Sequence, residues 1–394
     1  MTDRAELLIS DYAGHAFTYE IAVALNRDHT STAYSFCSTV VSPKGRVSEA
    51  GCRTFPVSSG GSFEKYNIRR RVISELRYGL GTARVVWRTR PQVHIVCNMP
   101  LVSMLVIWIS TIPLRTKLIL WFQDVQSGLA GGILGEGLLT RVISALESFL
   151  LRRARRVIAI SPELRDEAER RGVRMDRLAV IENWAPIESL DVRPKSNEWS
   201  RDHQADTTMT FLYSGTLARK HNPAILVNLA RAVKASGAQV LVVSEGEGAD
   251  WLQLEKASDP ELDNLTLLPY QPFDQLPDVL GSADVLLVLL EPHAGKFSVP
   301  SKTLSYLCAG RPILAAMPLD NTAAHMIRDR AAAGVVVGPD ESDKFCAEAL
   351  FLATDTDRRA ELGSAGRMYA EQHFAESVIM DQFVDELRRA EFNR

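Results

Sequence analysis

Short apolar runs recur along the chain, each followed by a polar turn and then by apolar residues at helical spacing. ELLIS leads to HAFTYEIAVALNR, QVHIVCN to residues 101–112, KLILWF to residues 138–154, RVIAIS to PELRDEAERRG, and LAVIEN closes the series. Runs this short and this continuously apolar, separated by amphipathic segments, predict a parallel sheet covered on both faces by crossover helices. Residues 187–208 break the rhythm and, being polar and aperiodic, read as a linker. The pattern then restarts with MTFLYSG and NPAILVNLARAVKASG, QVLVVSEG and ADWLQLEKAS, LTLLPY and DQLPDVLGSA, and finally DVLLVLLE, PILAAM and AGVVVG. From about residue 341 onward it reads as helix. The expected fold class is therefore α/β, with two doubly wound Rossmann-like domains facing a cleft. The expected boundaries are 1–186, the linker 187–208, 209–375, and a last helix, 376–394, packing back on the first domain.

Length agrees with two domains, because 394 residues exceed the roughly 250–300 at which single cores stop growing. A composition of 46% hydrophobic and 24% charged residues is that of an ordinary globular protein. The net charge of −3 conceals a division: 27 basic against 20 acidic residues up to position 200, net +7, and 18 against 28 beyond it, net −10. Five scattered cysteines without a C-x-x-C spacing fit a reducing compartment better than a disulfide framework. The start, MTDRAELLIS, lacks the features of a secretory signal, and the most apolar run, residues 100–114, is shorter than the roughly 20 residues of a spanning helix. A cytoplasmic location is expected.

In parallel sheets ligands bind beyond the carboxyl ends of the strands. The second half places Gly215 after a strand in YSGTLARKHNP, with Arg219 and Lys220 just before a helix whose first turn contains Pro223. Free N–H groups at a helix start together with adjacent cations suit a nucleotide diphosphate. A solvated cationic turn is the alternative. The stretch SVPSKTL delivers a second set of hydroxyls, a second helix start and Lys302 to the same edge, which favours the anion site. No G-x-x-x-x-G-K-[ST] or full G-x-G-x-x-G is present, against an NTPase or a nicotinamide enzyme. In the first half Asp124 and His15 are the polar candidates at strand ends, with a loop-capping role equally open. His94, inside a strand, reads as a core histidine.

These stretches resemble a known family. DYAGHAF, FQD, VIENW, YSGTLARKHN, SEGEG, LLPYQPFDQLPDVLGSADVLLV and, most specifically, SVPSKTLSYLCAGRPILA are similar to segments of family-4-type retaining glycosyltransferases with the two-domain GT-B fold, in the bacterial O-antigen, capsule and exopolysaccharide branch. The resemblance implies that the second domain holds a nucleotide-sugar donor and the first an acceptor, with Gly14 and His15 on the acceptor side. It implies that Lys220, with Arg219 beside it, binds the donor diphosphate and acts in catalysis; Asp124, read from its own place at a strand end, is the catalytic candidate of the first domain. The donor would meet Gly215, Thr216, Ser298, Val299, Ser301 and Lys302. Where many relatives carry two glutamates eight residues apart, this chain has Phe297 and Ser305. Ser305 is expected to make a weaker ribose contact, and Glu291 to replace the missing sugar contact.

Such a transfer needs cations aimed at the leaving diphosphate more than acid–base chemistry. No cofactor and no metal are expected, since neither a D-x-D pair at a strand end nor a His/Cys cluster is present. The expected partners are an NDP-sugar, UDP before GDP, a polyprenyl-diphosphate-linked acceptor and an anionic membrane surface. Nucleic acid is not expected, for want of interleaved aromatic and basic residues. In LLTRVISALESFLLRRARR, Leu139, Val142, Ile143, Leu146 and Leu150 form an apolar face expected to be buried. Arg152, Arg153, Arg155 and Arg156 are expected to face the membrane, with Arg69, Arg70, Arg71 and Arg77 adding to the basic surface. Two rivals stand beside this reading: a non-hydrolysing NDP-sugar 2-epimerase and an inactive partner subunit.

Overall fold

Two all-parallel sheets account for the two series of apolar runs. The computed structural model describes residues 5–28, 30–39, 51–60, 68–128, 137–185, 187–218, 221–291, 296–297 and 299–392. The chain divides into one unit made of residues 1–182 and 377–394 and a second made of residues 183–376.

Unit 1 holds β1 (Leu7–Asp11), β2 (Thr32–Cys37), β3 (Arg53–Val57), β4 (Val93–Cys97), β5 (Lys117–Phe122), β6 (Arg156–Ala159) and β7 (Leu178–Val180), in the order β3-β2-β1-β4-β5-β6-β7. Leu7 lies opposite Thr32 on one side and Val93 on the other. Every residue of β1 and β4 is buried, which is why these strands read as continuous apolar runs. Pro56, which cannot donate to a ladder, sits in β3, the outermost strand. The helix Glu376–Phe392 belongs to this unit. Its Phe383 ring meets Trp121 edge-on at 4.8 Å, and its Glu386 accepts from Arg156 Nε at 2.6 Å with both side chains buried.

Unit 2 holds β8 (Thr210–Ser214), β9 (Gln239–Val243), β10 (Leu265–Leu268), β11 (Val285–Leu289), β12 (Ile313–Ala316) and β13 (Gly334–Val337), in the order β10-β9-β8-β11-β12-β13. The stretch 187–208 is part of this unit rather than a bare connection. Ile187, Leu190 and Trp199 are buried in its core, and Asn197 caps the short helix Glu198–Asp202 with a reciprocal bond to Ser200. Its polar composition hides three apolar anchors.

The helix Leu138–Arg153 corrects the expectation of a buried apolar face. Leu138, Leu139 and Val142 are exposed, and the buried residues are Glu147, Leu150 and Leu151. Only the last turns meet the core. All five cysteines are buried free thiols. No helix among the described residues is long and apolar enough to cross a membrane.

Candidate functional site

In each sheet the strand order reverses once, between β1 and β4 in unit 1 and between β8 and β11 in unit 2. At such reversals the connecting loops leave in opposite directions and open a crevice beyond the carboxyl ends of the strands. The candidate residues that the structure describes gather at these two places.

In unit 1, β1 ends in Asp11, which is fully buried. Its carboxylate accepts from the Ala13 N–H at 3.2 Å, the His15 N–H at 2.6 Å and the Thr18 hydroxyl at 2.7 Å. His15 Nδ1 lies 2.9 Å from the same carboxylate. That contact places the Nδ1 proton toward Asp11 and leaves Nε2 as the ring nitrogen not engaged by it. Gly14 makes the turn in the left-handed region, at φ 63°. The Asn98 amide, just past β4, sits 3.2 Å from His15 Nδ1, so the loops on either side of the reversal meet at the histidine. Burial draws the His15 pKa down, but the hydrogen bond and charge of Asp11, with Asp124 adding, lift it above its ordinary value. Asp124 is exposed at its surface yet close-set among protein atoms. Desolvation lifts its carboxyl above the usual range, with His15 opposing and Glu147 assisting.

The loop bearing Asp124 is held from beneath. Buried Glu147 accepts from the Gln126 and Ser127 N–H groups at 2.8 and 3.2 Å and from Arg171 Nη1 at 3.0 Å. His94 is buried beside Ser10, with Nε2 2.7 Å from its hydroxyl, and burial alone lowers its pKa to about 3. It is a neutral core residue.

In unit 2, Gly215 follows β8 at φ 122°, and a Cβ there would lie 3.2 Å from Lys302 Cε and 3.4 Å from its Nζ. The Lys302 ammonium stands 3.6 Å above the centre of the Tyr213 ring. The helix Ser301–Cys308 is fixed against β8 by Tyr306, whose hydroxyl donates to the Ser214 carbonyl at 3.0 Å and accepts from the Ser214 N–H at 2.8 Å. This link brings the two stretches quoted for the anion site to one point. Tyr213 donates to the Thr216 carbonyl at 2.8 Å, and the Thr216 hydroxyl is 2.6 Å from that of Tyr270. Gly246, at φ 114°, lets the loop after β9 close on the same turn, where the Gly248 N–H donates to the Leu217 carbonyl at 2.9 Å.

Among the remaining candidates, Ser301 is exposed at the helix start, Ser305 and Glu291 are half-buried, and Val299 packs against the core. Arg219, Lys220 and Ser298 lie outside the described residues. Among the described residues no group of three or more His, Cys, Asp or Glu is arranged to hold a metal.

The arginine cluster is not one surface. Arg156 is buried and bonded to Glu386 and to the Asp176 carbonyl, so its assignment to a membrane face is corrected. As the first residue of β6 it points inward to meet the returning helix. Arg155 donates to the Ala390 carbonyl at 3.3 Å, and Arg152 and Arg153 are exposed.

Sequence reasoning passed over Asp11, Asn98, Glu147, Tyr270 and Tyr306. The Asp11–His15 spacing at a strand end was an available signal. The others act through contacts distant in sequence and leave no local pattern.

Residues 14–184 match the family described as glycosyl transferase 4-like domain, and residues 195–369 match glycosyl transferases group 1. The Escherichia coli (strain K12) protein WcaI, named for glycosyl transfer in colanic acid biosynthesis, is 23% identical over 284 residues, 70% of this chain and 68% of that protein. The Anabaena HepE structure in complex with UDP and glucose superposes with a TM-score of 0.72 at 16% identity, covering 98% of this chain and 100% of that one. Sucrose-phosphate synthase from Thermosynechococcus elongatus gives 0.75 at 14% identity, covering 97% and 98%.

Proposed function

Because the chain belongs to the family-4-type glycosyltransferases of the GT-B fold, we propose that it moves a sugar from a nucleoside diphosphate donor to a polyprenyl-diphosphate-linked saccharide. The transfer retains the anomeric configuration, the nucleotide is UDP, and the product enters a bacterial surface polysaccharide. The observation that carries the reading is the meeting of Gly215, Thr216 and Lys302 at the strand reversal of unit 2. A turn whose glycine leaves room for an ammonium group, beside a helix start, matches a leaving diphosphate in charge and shape. The named role of WcaI and the UDP in the HepE structure support the choice of pathway and nucleotide.

In this mechanism the anomeric C–O bond breaks with its electrons passing to the β-phosphate oxygen, while the acceptor hydroxyl forms the new bond on the same face and passes its proton to that departing oxygen. Lys302, together with Arg219 and Lys220, neutralises the charge growing on the diphosphate. The exposed face of Tyr270 offers a stacking surface for the base. Asp11 holds His15 in one tautomer and one orientation, a fixed polar group for the acceptor side.

Unit 1 is the membrane-facing half in this proposal. On the helix Ile68–Thr89, Val72, Ile73, Leu76, Leu80 and Trp87 are each at least 41% exposed, with Arg69, Arg70, Arg71, Arg84 and Arg88 exposed among them. An apolar strip edged with arginine suits an anionic leaflet, at the inner face of the plasma membrane.

The test is a panel of NDP-sugars with purified protein and lipid-diphosphate acceptors, with product anomers assigned by NMR. Transfer with retention is expected, and Lys220→Ala should lower it by about 100-fold or more while the fold is kept. Epimerised donor formed without acceptor points to the 2-epimerase reading. Tight nucleotide binding with no turnover on any acceptor points to an inactive partner subunit.

A further inference from the structure

At the edge of the unit 1 sheet opposite to the site loops, where β5, β6 and β7 begin, the surface folds into a cavity of about 340 Å³. Five cations line it: Arg115, Lys117, Arg153, Arg155 and Arg177. No carboxylate is among its lining residues. Several other arginines of the unit are paired with carboxylates: Arg156 with Glu386, Arg165 with Asp166, Arg171 with Glu147 and Glu167, and Arg174 with Asp176. Among the described residues Arg115, Arg153, Arg155 and Arg177 form no such pair. Arg155 is tied only to the Ala390 carbonyl, and Arg153 leans over the Phe149 ring at 5.2 Å.

We propose that this cavity is a phosphate-binding site separate from the reaction site. Guanidinium groups gathered in a concavity without a counter-charge repel one another until an anion enters, and phosphate presents enough acceptor oxygens to engage several forks at once. The volume fits a phosphomonoester or a diphosphate. The rim adds a second property. Trp108 and Ile112 line the cavity, and Ile112 and neighbouring Ile109 are more than half exposed. An apolar lip beside a cationic hollow makes a phospholipid headgroup the expected source, with its acyl chains resting on the isoleucines.

The experiment compares the full-length protein with Arg115→Gln/Arg153→Gln, and with Arg165→Gln/Arg174→Gln, which removes two arginines elsewhere on the same unit. Flotation with phosphatidylcholine vesicles containing phosphatidic acid reads the lipid source, and titration calorimetry with pyrophosphate reads the free anion. The cavity variant should bind the anionic vesicles about 30-fold more weakly than the parent, from two charges near an anionic surface. The surface variant should change far less. A fall in pyrophosphate affinity confined to the cavity variant shows that phosphate without a lipid suffices, and supports the site equally. Arg115→Lys/Arg153→Lys checks folding and should recover part of the binding. Equal losses in the two Gln variants, or no loss of either ligand in a cavity variant with parental melting temperature, overturn the proposal.

Discussion

Gly215→Ala is the sharpest test of how the donor side is built. The new methyl carbon would stand 3.2 Å from Lys302 Cε and 3.4 Å from Nζ, on a residue whose φ of 122° side chains rarely adopt. Backbone strain of this kind costs about 1–3 kcal/mol. For a unit of this size each kcal/mol lowers the melting temperature by about 2–4 °C, so a fall of about 2–12 °C is expected. The methyl also pushes the ammonium from its place above Tyr213. If that charge faces the diphosphate, transfer should drop by about 10–100-fold, short of the loss on deleting a transition-state donor outright. Stability and function are separated by a double-mutant cycle with Lys302→Met, following melting and steady-state transfer together. Gly215→Ala acting through the lysine should cost little activity once Lys302→Met is present, because coupled residues are not additive. Parental activity in Gly215→Ala, or fully additive losses in the double variant, would refute the idea that the glycine exists to seat the lysine.

Three further outcomes are expected. Glu386→Gln should destabilise unit 1 by about 3–5 kcal/mol in denaturant unfolding, because it strands the buried Arg156; a change below about 1 kcal/mol would show the pair to be dispensable. His15 has a raised pKa, so its stabilising contribution is fully present below the ordinary histidine value of about 6.5 and lost as pH rises through the folded value. The melting-temperature gap between parent and His15→Gln should therefore narrow with increasing pH, and a constant gap would contradict the linkage to Asp11. Transfer should keep its rate in excess EDTA, since the cations are carried by side chains; a complete loss restored by magnesium rejects that assignment.

The alternation of apolar runs and amphipathic segments was enough to read both parallel sheets, because strands such as β1 and β4 are buried on both faces and so cannot hide. The unit 1 edge was less legible. β3, the outermost strand, mixes exposed polar residues and a proline into the pattern, and β2 beside it carries Thr32 and Ser35. The stretch 187–208 looked like a linker because Ile187, Leu190 and Trp199 are too few to form a period, although each is buried. At the site, Gly215 and Lys302 were visible as separate motifs. What joins them is Tyr306, whose partner Ser214 is 92 residues away, and no local spacing reports such a contact. The arginine run misled for a related reason. Four arginines within five residues meet different surroundings, and only the return of the last helix turns Arg156 into a buried partner.

That return has a consequence for synthesis. Residues 183–376 are, in effect, an insertion within unit 1, so the half made first cannot be completed until residues 377–394 have left the ribosome. Domains generally fold as units and in order of synthesis, but here the order inverts: unit 2 has all its strands while unit 1 still waits with the faces of Trp121 and Arg156 uncovered. The nascent first half is therefore the stage at which the chain is most open to misassociation. A stop codon before Glu376 would leave the reaction loops encoded in full yet keep their scaffold permanently unfinished.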